Sequence, residues 1–198
     1  MDEREITERI CKLFEDTVPI LHNIYKGFMG QKINLLKESR TKFRENLVAT
    51  LPGVEKIIED PNKNEAEQMF LKALPHLQRI ALALDNLVDK MEAKVENNLL
   101  FTDKALDEIK QLMIAVAAEF VDVKDYCSTR NPVLKKQIQD NLHKVINLIN
   151  EFDSVHQNRL ITGVCMPQAS YLYIDMTDSL KRMSRELSAF AELLPPRA

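Results

Sequence analysis

Apolar residues recur along this chain at steps of three and four, the spacing that lines them up on one face of an α-helix, and six such segments can be followed between breaks. The first carries Ile6, Ile10, Leu13, Thr17, Ile20, Ile24 and Phe28 and runs into Gly27 and Gly30. Pro19 inside it predicts a kink or a separate short leading helix, because proline lacks an N–H and its ring crowds the carbonyl four residues earlier. The second spans about 32–50 through Leu36, Arg40, Phe43 and Leu47, breaks at Leu51-Pro52-Gly53 and resumes as a short helix up to the turn Asp60-Pro61-Asn62. The third, about 64–97, is the longest, with Phe70, Leu77, Ile80, Leu84, Leu87, Met91 and Val95 on its stripe and a bend expected at Pro75.

Thr102 reads as the N-cap of the fourth segment, whose Leu106, Ile109, Met113, Val116, Phe120, Val123 and Cys127 keep the alternation of three and four unbroken. Asn131-Pro132 opens the fifth with a cap residue followed by proline at the first helical position, and Gly163 and Pro167 end it. The sixth, about 168–194, carries Leu172, Met176, Leu180, Met183, Leu187, Phe190 and Leu194 and stops at Pro195-Pro196. Segments four to six are each on the order of 40 Å long as helices and are joined by short turns, which makes neighbours antiparallel. The first three repeat that plan less regularly. An offset of 96 residues sets Leu84, Leu87 and Met91 on Leu180, Met183 and Leu187, as an internal duplication would. The expected fold is all-α, with about six long helices: two tandem antiparallel three-helix bundles, residues 1–98 and 99–198, packed as one compact protein.

With two three-helix units, each ending in a long helix with this local pattern, the sequence resembles the PhoU-like family: phosphate-uptake regulators, related cotransporter tails and small stand-alone accessory proteins. The resemblance implies a motif near L-E-R-I-x-D on the third helix of each unit, its two carboxylates four residues apart and ligating metal. Here Leu84-Asp85-Asn86-Leu87-Val88-Asp89 keeps the pair as Asp85 and Asp89, while Leu180-Lys181-Arg182-Met183-Ser184-Arg185 has Lys181 and Arg185 at the two acidic positions. A cation is not held where ammonium and guanidinium groups stand in for oxygen ligands. The expected divalent-metal site is therefore Asp85 and Asp89 in the first unit alone, which needs further carboxylates from segment two, where Glu45, Glu55 and Glu59 are available. Asp85, Asp89, Glu92 and Glu96 also read more simply as the solvated flank of a bundle helix, held partly by Lys90 and Lys94.

Composition narrows the classes without choosing among them. Four glycines, no tryptophan, eight phenylalanines and four tyrosines are too few turn and aromatic residues for a sheet protein of 198 residues. A formal net charge of −3 argues against a general nucleic-acid binder, which needs a concentrated basic surface. No apolar run is long enough to span a membrane, and the charged start argues against a signal peptide, so a cytoplasmic protein is expected. Cys11, Cys127 and Cys165 are too widely spaced for a zinc knuckle and read as buried reduced thiols.

Two other constellations carry chemistry. Asn150, Asp153 and His156 follow one another at steps of three, and a buried Asp153 would need a cation such as Lys181 or Arg182 across the bundle. With Asp140 and His143, these residues form two acid-x-x-His pairs on one helix, roughly 20 Å apart, where a di-iron core needs them on facing helices. His22 falls off the apolar stripe and is followed by Lys26 and Gly27, which is similar to the phospho-accepting motif of histidine phosphotransfer domains. There the lysine lies three residues on, not four, so Lys26 is rotated by about 100° from that position. No catalytic set emerges. What the PhoU-like resemblance implies is a non-enzymatic regulatory or accessory protein without a cofactor, binding a phosphate transporter or a sensor at the inner face of the membrane, with a homodimer allowed. The alternatives are phosphotransfer through His22 and metal binding through Asp85/Asp89.

Overall fold

The computed structural model describes residues 3–51 and 54–196, apart from the side chains of Glu3, Glu55 and Lys56. Among the described residues the chain forms seven helices and no strand: α1 (Glu3–Met29), α2 (Ile33–Thr50), α3 (Val54–Glu59), α4 (Glu65–Glu96), α5 (Asp103–Thr129), α6 (Pro132–Ile161) and α7 (Pro167–Leu193). These are the six segments plus the short resumption before Asp60. The Pro52-Gly53 break lies outside the described residues.

Local chemistry accounts for the boundaries. Asn64 and Glu67 form a reciprocal capping box at the start of α4, the side chain of each accepting the other's backbone N–H. Thr102 caps α5 by accepting from Ala105 N–H, and Asn131 caps α6 with Pro132 behind it. Three C-terminal turns pass through left-handed residues that are not glycine, Gln31, Asn98 and Arg130, and the fourth uses Gly163. The glycines therefore mark only some of the turns. Gly27 serves packing instead. A Cβ there would come within 3.0 Å of the Leu36 side chain and 3.3 Å of its backbone nitrogen, so glycine lets the start of α2 cross closely over the end of α1.

Neither internal proline splits its helix. Pro19 and Pro75 both lie on exposed faces of continuous helices, where a carbonyl released from the ladder can be solvated. The separate leading helix that Pro19 suggested is not formed.

Helices α1, α2 and α4 pack on one another, as do α5, α6 and α7. The most extensive interface, however, joins α4 to α7, and α1 lies along α5. A single apolar core runs through all of it. Its centre includes Phe14 of α1, whose ring packs against Phe120 of α5 and Phe190 of α7 at centroid distances of 5.9 and 5.1 Å. The predicted stripes of α4 and α7 are buried, including Leu84, Leu87, Met91, Leu180, Met183 and Leu187.

Helix α7 also buries small polar residues beside its stripe that the apolar pattern does not reveal. Thr177, Ser179, Ser184 and Ser188 of α7 are all buried. Their small size permits close helix approach, and the hydroxyls of Thr177 and Ser179 are satisfied by carbonyls of their own helix, Ile174 and Asp175. Polar tethers flank the interface. Glu186 of α7 meets His76 Nδ1 at 2.7 Å and Arg79 at 3.0 Å, and Lys90 of α4 meets Asp175 at 3.1 Å.

Candidate functional site

Asp85 and Asp89 are engaged by cations from the neighbouring helix. On α2, Lys37, Arg40 and Arg44 recur at steps of three and four; on α4, Asp85, Asp89, Glu92 and Glu96 recur at four, three and four. Because the helices run antiparallel, the two rows meet in reverse order. Arg44 grips Asp85 with two nitrogens, Nη2 to Oδ2 at 2.8 Å and Nε to Oδ1 at 3.1 Å. Arg40 bridges Asp89 and Glu92, its Nη2 lying 3.0 Å from Glu92 Oε1. Lys37 reaches Glu96 at 3.5 Å. Burial pushes the Glu92 carboxyl above its ordinary range and the Arg40 charge opposes this. The Arg44 guanidinium is held more firmly protonated by its hydrogen bonds to Asp85.

The expected carboxylate partners are elsewhere. Glu45 is exposed beside Lys42, Glu59 is exposed, and the Glu55 side chain lies outside the described residues. Among the described residues no group of three or more His, Cys, Asp or Glu converges as metal ligands would. The lysines expected to flank the acidic stripe are engaged differently: Lys90 ties α4 to α7, and Lys94 is buried with its ammonium 5.6 Å from the centroid of the Phe28 ring. Arg40 falls on the apolar stripe of its segment. Its stem is half-buried there while its head reaches the carboxylates, and the three-four spacing of Lys37, Arg40 and Arg44 is the signal that pairs with the acidic row.

The second half concentrates its charge inside. Glu108 of α5 is fully buried and takes both terminal nitrogens of Arg159 from α6, at 2.9 and 2.7 Å, together with the Tyr173 hydroxyl of α7 at 2.7 Å. The neighbouring His156 is buried and its ring stacks on Tyr173 at 4.4 Å. Arg159 Nη2 lies 3.3 Å from His156 Nδ1. A guanidinium can only donate, so Nδ1 accepts and the proton of the neutral ring sits on Nε2. Burial, with the Arg159 charge, lowers the pKa of this ring and keeps it neutral. Its Nε2 is buried without a hydrogen-bond partner. Burial and the Glu108 charge likewise push the Tyr173 hydroxyl far up.

His156 and Tyr173 border a cavity of about 220 Å³ whose wall is otherwise mostly apolar, including Phe101, Ala105 and Ala169. Leu100, Val164 and Met166, all exposed, stand at the same cavity. The Glu108 carboxylate of this group is committed to three hydrogen bonds. It acts as a polar clamp among three helices.

The partner expected for Asp153 is corrected by this arrangement. Asp153 is half-buried and feels the charge of Lys181, but the two form no ion pair within 4.0 Å, and Arg182 is exposed. The buried ion pair of this region is Glu108 with Arg159, and Arg159 comes from the same helix as His156. The sequence pattern does not single out Tyr173 and Glu108, because both fall beside the apolar stripes, where a charge reads as solvated.

A further buried acid, Glu119 of α5, accepts from Ser184 at 2.8 Å through Oε1, while Oε2 has no partner; burial pushes its carboxyl up to about 7. His22 is exposed and borders a shallow groove with Tyr25, Met113 and Ile114, and Lys26 is also exposed. Asp140 and His143 are exposed on α6. The three thiols are free, but only Cys127 is buried; Cys11 and Cys165 are half-exposed, which corrects the expectation for those two. No described helix is long and apolar enough to cross a membrane. Comparison with family models, curated proteins and solved structures finds no match for this chain.

Proposed function

We propose that this chain is a non-enzymatic PhoU-like regulatory or accessory protein, built from two tandem three-helix bundles and binding a transporter or signalling partner that controls phosphate uptake at the cytoplasmic face of the membrane. The observation that carries this reading is the reciprocity of the α4–α7 interface. Under the 96-residue offset that aligns Leu84 with Leu180, Arg79 corresponds to Asp175 and Lys90 to Glu186. Arg79 pairs with Glu186, and Lys90 pairs with Asp175. Exchange of the two halves thus carries the positions of one ion pair onto those of the other, as an interface around a pseudo-two-fold axis does, while the charges at those positions are reversed. The packing of α1 on α5, the first helix of each set, supports the same relation.

In this reading the metal-ligating motif has become a structural ion-pair row. Arginines satisfy Asp85 and Asp89, and Lys181 and Arg185 occupy the other motif. The partner surface is the end of the molecule where exposed Leu100, Val164, Met166 and Tyr171 gather around the α4–α5 and α6–α7 turns.

Labelled-phosphate uptake in cells with and without the protein tests the function. A changed uptake rate, together with co-purification of a phosphate transporter or its sensor that Val164→Glu or Tyr171→Glu abolishes, is expected. Unchanged uptake with no such partner overturns the reading. Metal content of the purified protein, with and without Asp85→Ala/Asp89→Ala, tests the alternative: metal that is present in the parent and lost in the variant would favour it. The exposure of His22 supports a second reading, phosphotransfer. Transfer of label from a phosphorylated response-regulator domain to the parent chain, but not to His22→Gln, would establish it.

A further inference from the structure

Away from the acidic row and the Glu108 clamp, α1 and α5 bring together two cysteines that are 116 positions apart in the chain. Cys11 of α1 lies against the last turns of α5, where its thiol and that of Cys127 act on each other. Cys11 Sγ also lies 3.4 Å from Ser128 Oγ and 3.9 Å from the Lys124 carbonyl oxygen. Arg130 stands beside this pair as the left-handed C-cap of α5, with φ of 55°. Its side chain is buried, its charge acts on Cys11, and its Nη1 has no hydrogen-bond partner. A hydroxyl thus touches one half-exposed sulfur, on which a thiol and the charge of a guanidinium with an unfilled nitrogen also act. The Ser128 hydroxyl also reaches the Lys124 carbonyl at 3.3 Å, and turns to Cys11 as a donor when the sulfur carries charge.

The two sulfurs are made unequal by their surroundings. Hydrogen bonds from Cys127 and Ser128, with the Arg130 and Lys124 charges, bring the Cys11 thiol down to about 7 against the opposing effect of burial. The interaction with Cys11 and its own burial hold the Cys127 thiol well above its ordinary value. Lys124 is itself paired with Asp125 at 2.9 Å and also feels the Glu15 charge from α1.

We propose that Cys11, Cys127, Ser128 and Arg130 form a peroxide-reactive dithiol site, in which Cys11 is oxidised to a sulfenic acid that Cys127 converts to a disulfide joining α1 to α5. In the first step the Cys11 thiolate attacks one oxygen of hydrogen peroxide and the S–O bond forms as the O–O bond breaks. The departing hydroxide takes a proton and leaves as water; sulfur loses two electrons and peroxide gains them. Ser128 and Arg130 donate to the charge at the sulfur and its new oxygen. In the second step the Cys127 sulfur attacks Cys11, the S–S bond forms, the S–O bond breaks, and the hydroxyl leaves as water with the Cys127 proton. Two thiols and one peroxide give one disulfide and two waters, and a small thiol reductant reverses the change. Cys11 reaches solvent and Cys127 does not, which fixes the order of attack.

The test uses the full chain carrying Cys165→Ser, so that only these two thiols remain. After dilute hydrogen peroxide, peptide mapping is expected to find a Cys11–Cys127 cross-link, with both thiols closed to alkylation until a reductant is added. Cys127→Ser is expected to leave a sulfenic acid at Cys11 that dimedone labels, and Cys11→Ser to leave Cys127 unoxidised. At pH 7 the larger thiolate fraction of Cys11, offset by its lower intrinsic nucleophilicity, raises its rate about threefold over an ordinary thiol; Ser128→Ala is expected to slow it. The proposal is overturned if Cys11 remains alkylatable while circular dichroism shows the helices intact, if Cys127 oxidises equally fast in Cys11→Ser, or if only intermolecular disulfides form.

Discussion

The two halves of the molecule handle charge in opposite ways. Where α2 meets α4, cations and carboxylates face each other along a partly solvated seam, and Arg44 and Asp89 are largely exposed. Where α5, α6 and α7 meet, a carboxylate of zero exposure is held by one arginine and one tyrosine, and a second buried acid, Glu119, has only a serine. Exposed pairs gain little, because water already solvates both partners. A buried pair gives up that solvation on folding, so its geometry must be complete and removal of one partner strands the other. The first half can therefore tolerate changes in its row of ions that the second half cannot tolerate in its clamp.

The largest effect is expected from breaking the clamp. Arg159→Met leaves Glu108 buried without its cation and is expected to cost about 3–5 kcal/mol, read as a shift of the urea midpoint; a loss below about 1 kcal/mol would erase the distinction between the halves. Next comes Glu119. Its carboxyl is raised in the folded protein from 4.5 to about 7, so over that interval the folded state binds more protons than the unfolded state. The contribution of Glu119 to stability is then full below about pH 4.5 and falls as pH rises toward 7, by about 3 kcal/mol in all. Glu119→Gln keeps an acceptor for Ser184 and is expected to flatten that slope in denaturation curves taken across the range.

Smaller effects separate the members of the acidic seam. Arg40→Met removes the cation from the buried Glu92 and is expected to cost about 1–2 kcal/mol. Arg44→Ala, at an exposed pair, is expected to cost less than about 1 kcal/mol, and high salt should reduce the difference from the parent. If Arg44→Ala proves the more damaging of the two, burial is not what ranks these pairs.

How far the sequence reaches differs between these regions for the same reason. The rows on α2 and α4 are legible as complementary spacings, since Lys37, Arg40 and Arg44 match Asp85, Asp89 and Glu92 once the helices are taken as antiparallel. Nothing in the local pattern marks Glu108 as buried: it follows Asp107 and precedes Ile109, as a surface acid on an amphipathic helix does. It is buried because α6 and α7 both close over that side of α5. Ser184 is hidden by the same kind of crowding, on the side of α7 that meets Glu119 of α5. Cys11 and Cys127, far apart in the chain, become neighbours only because α1 lies along α5.

The sequence by itself determined the helices, several of their caps and their first apolar faces. Those features depend on interactions within a few turns, where propensity and periodicity act directly. Only the tertiary structure decided which helices acquire a second buried face, which acids lose their water and which thiols meet. A helix has one periodicity but can be covered from several sides, and the number of sides covered is a property of its neighbours.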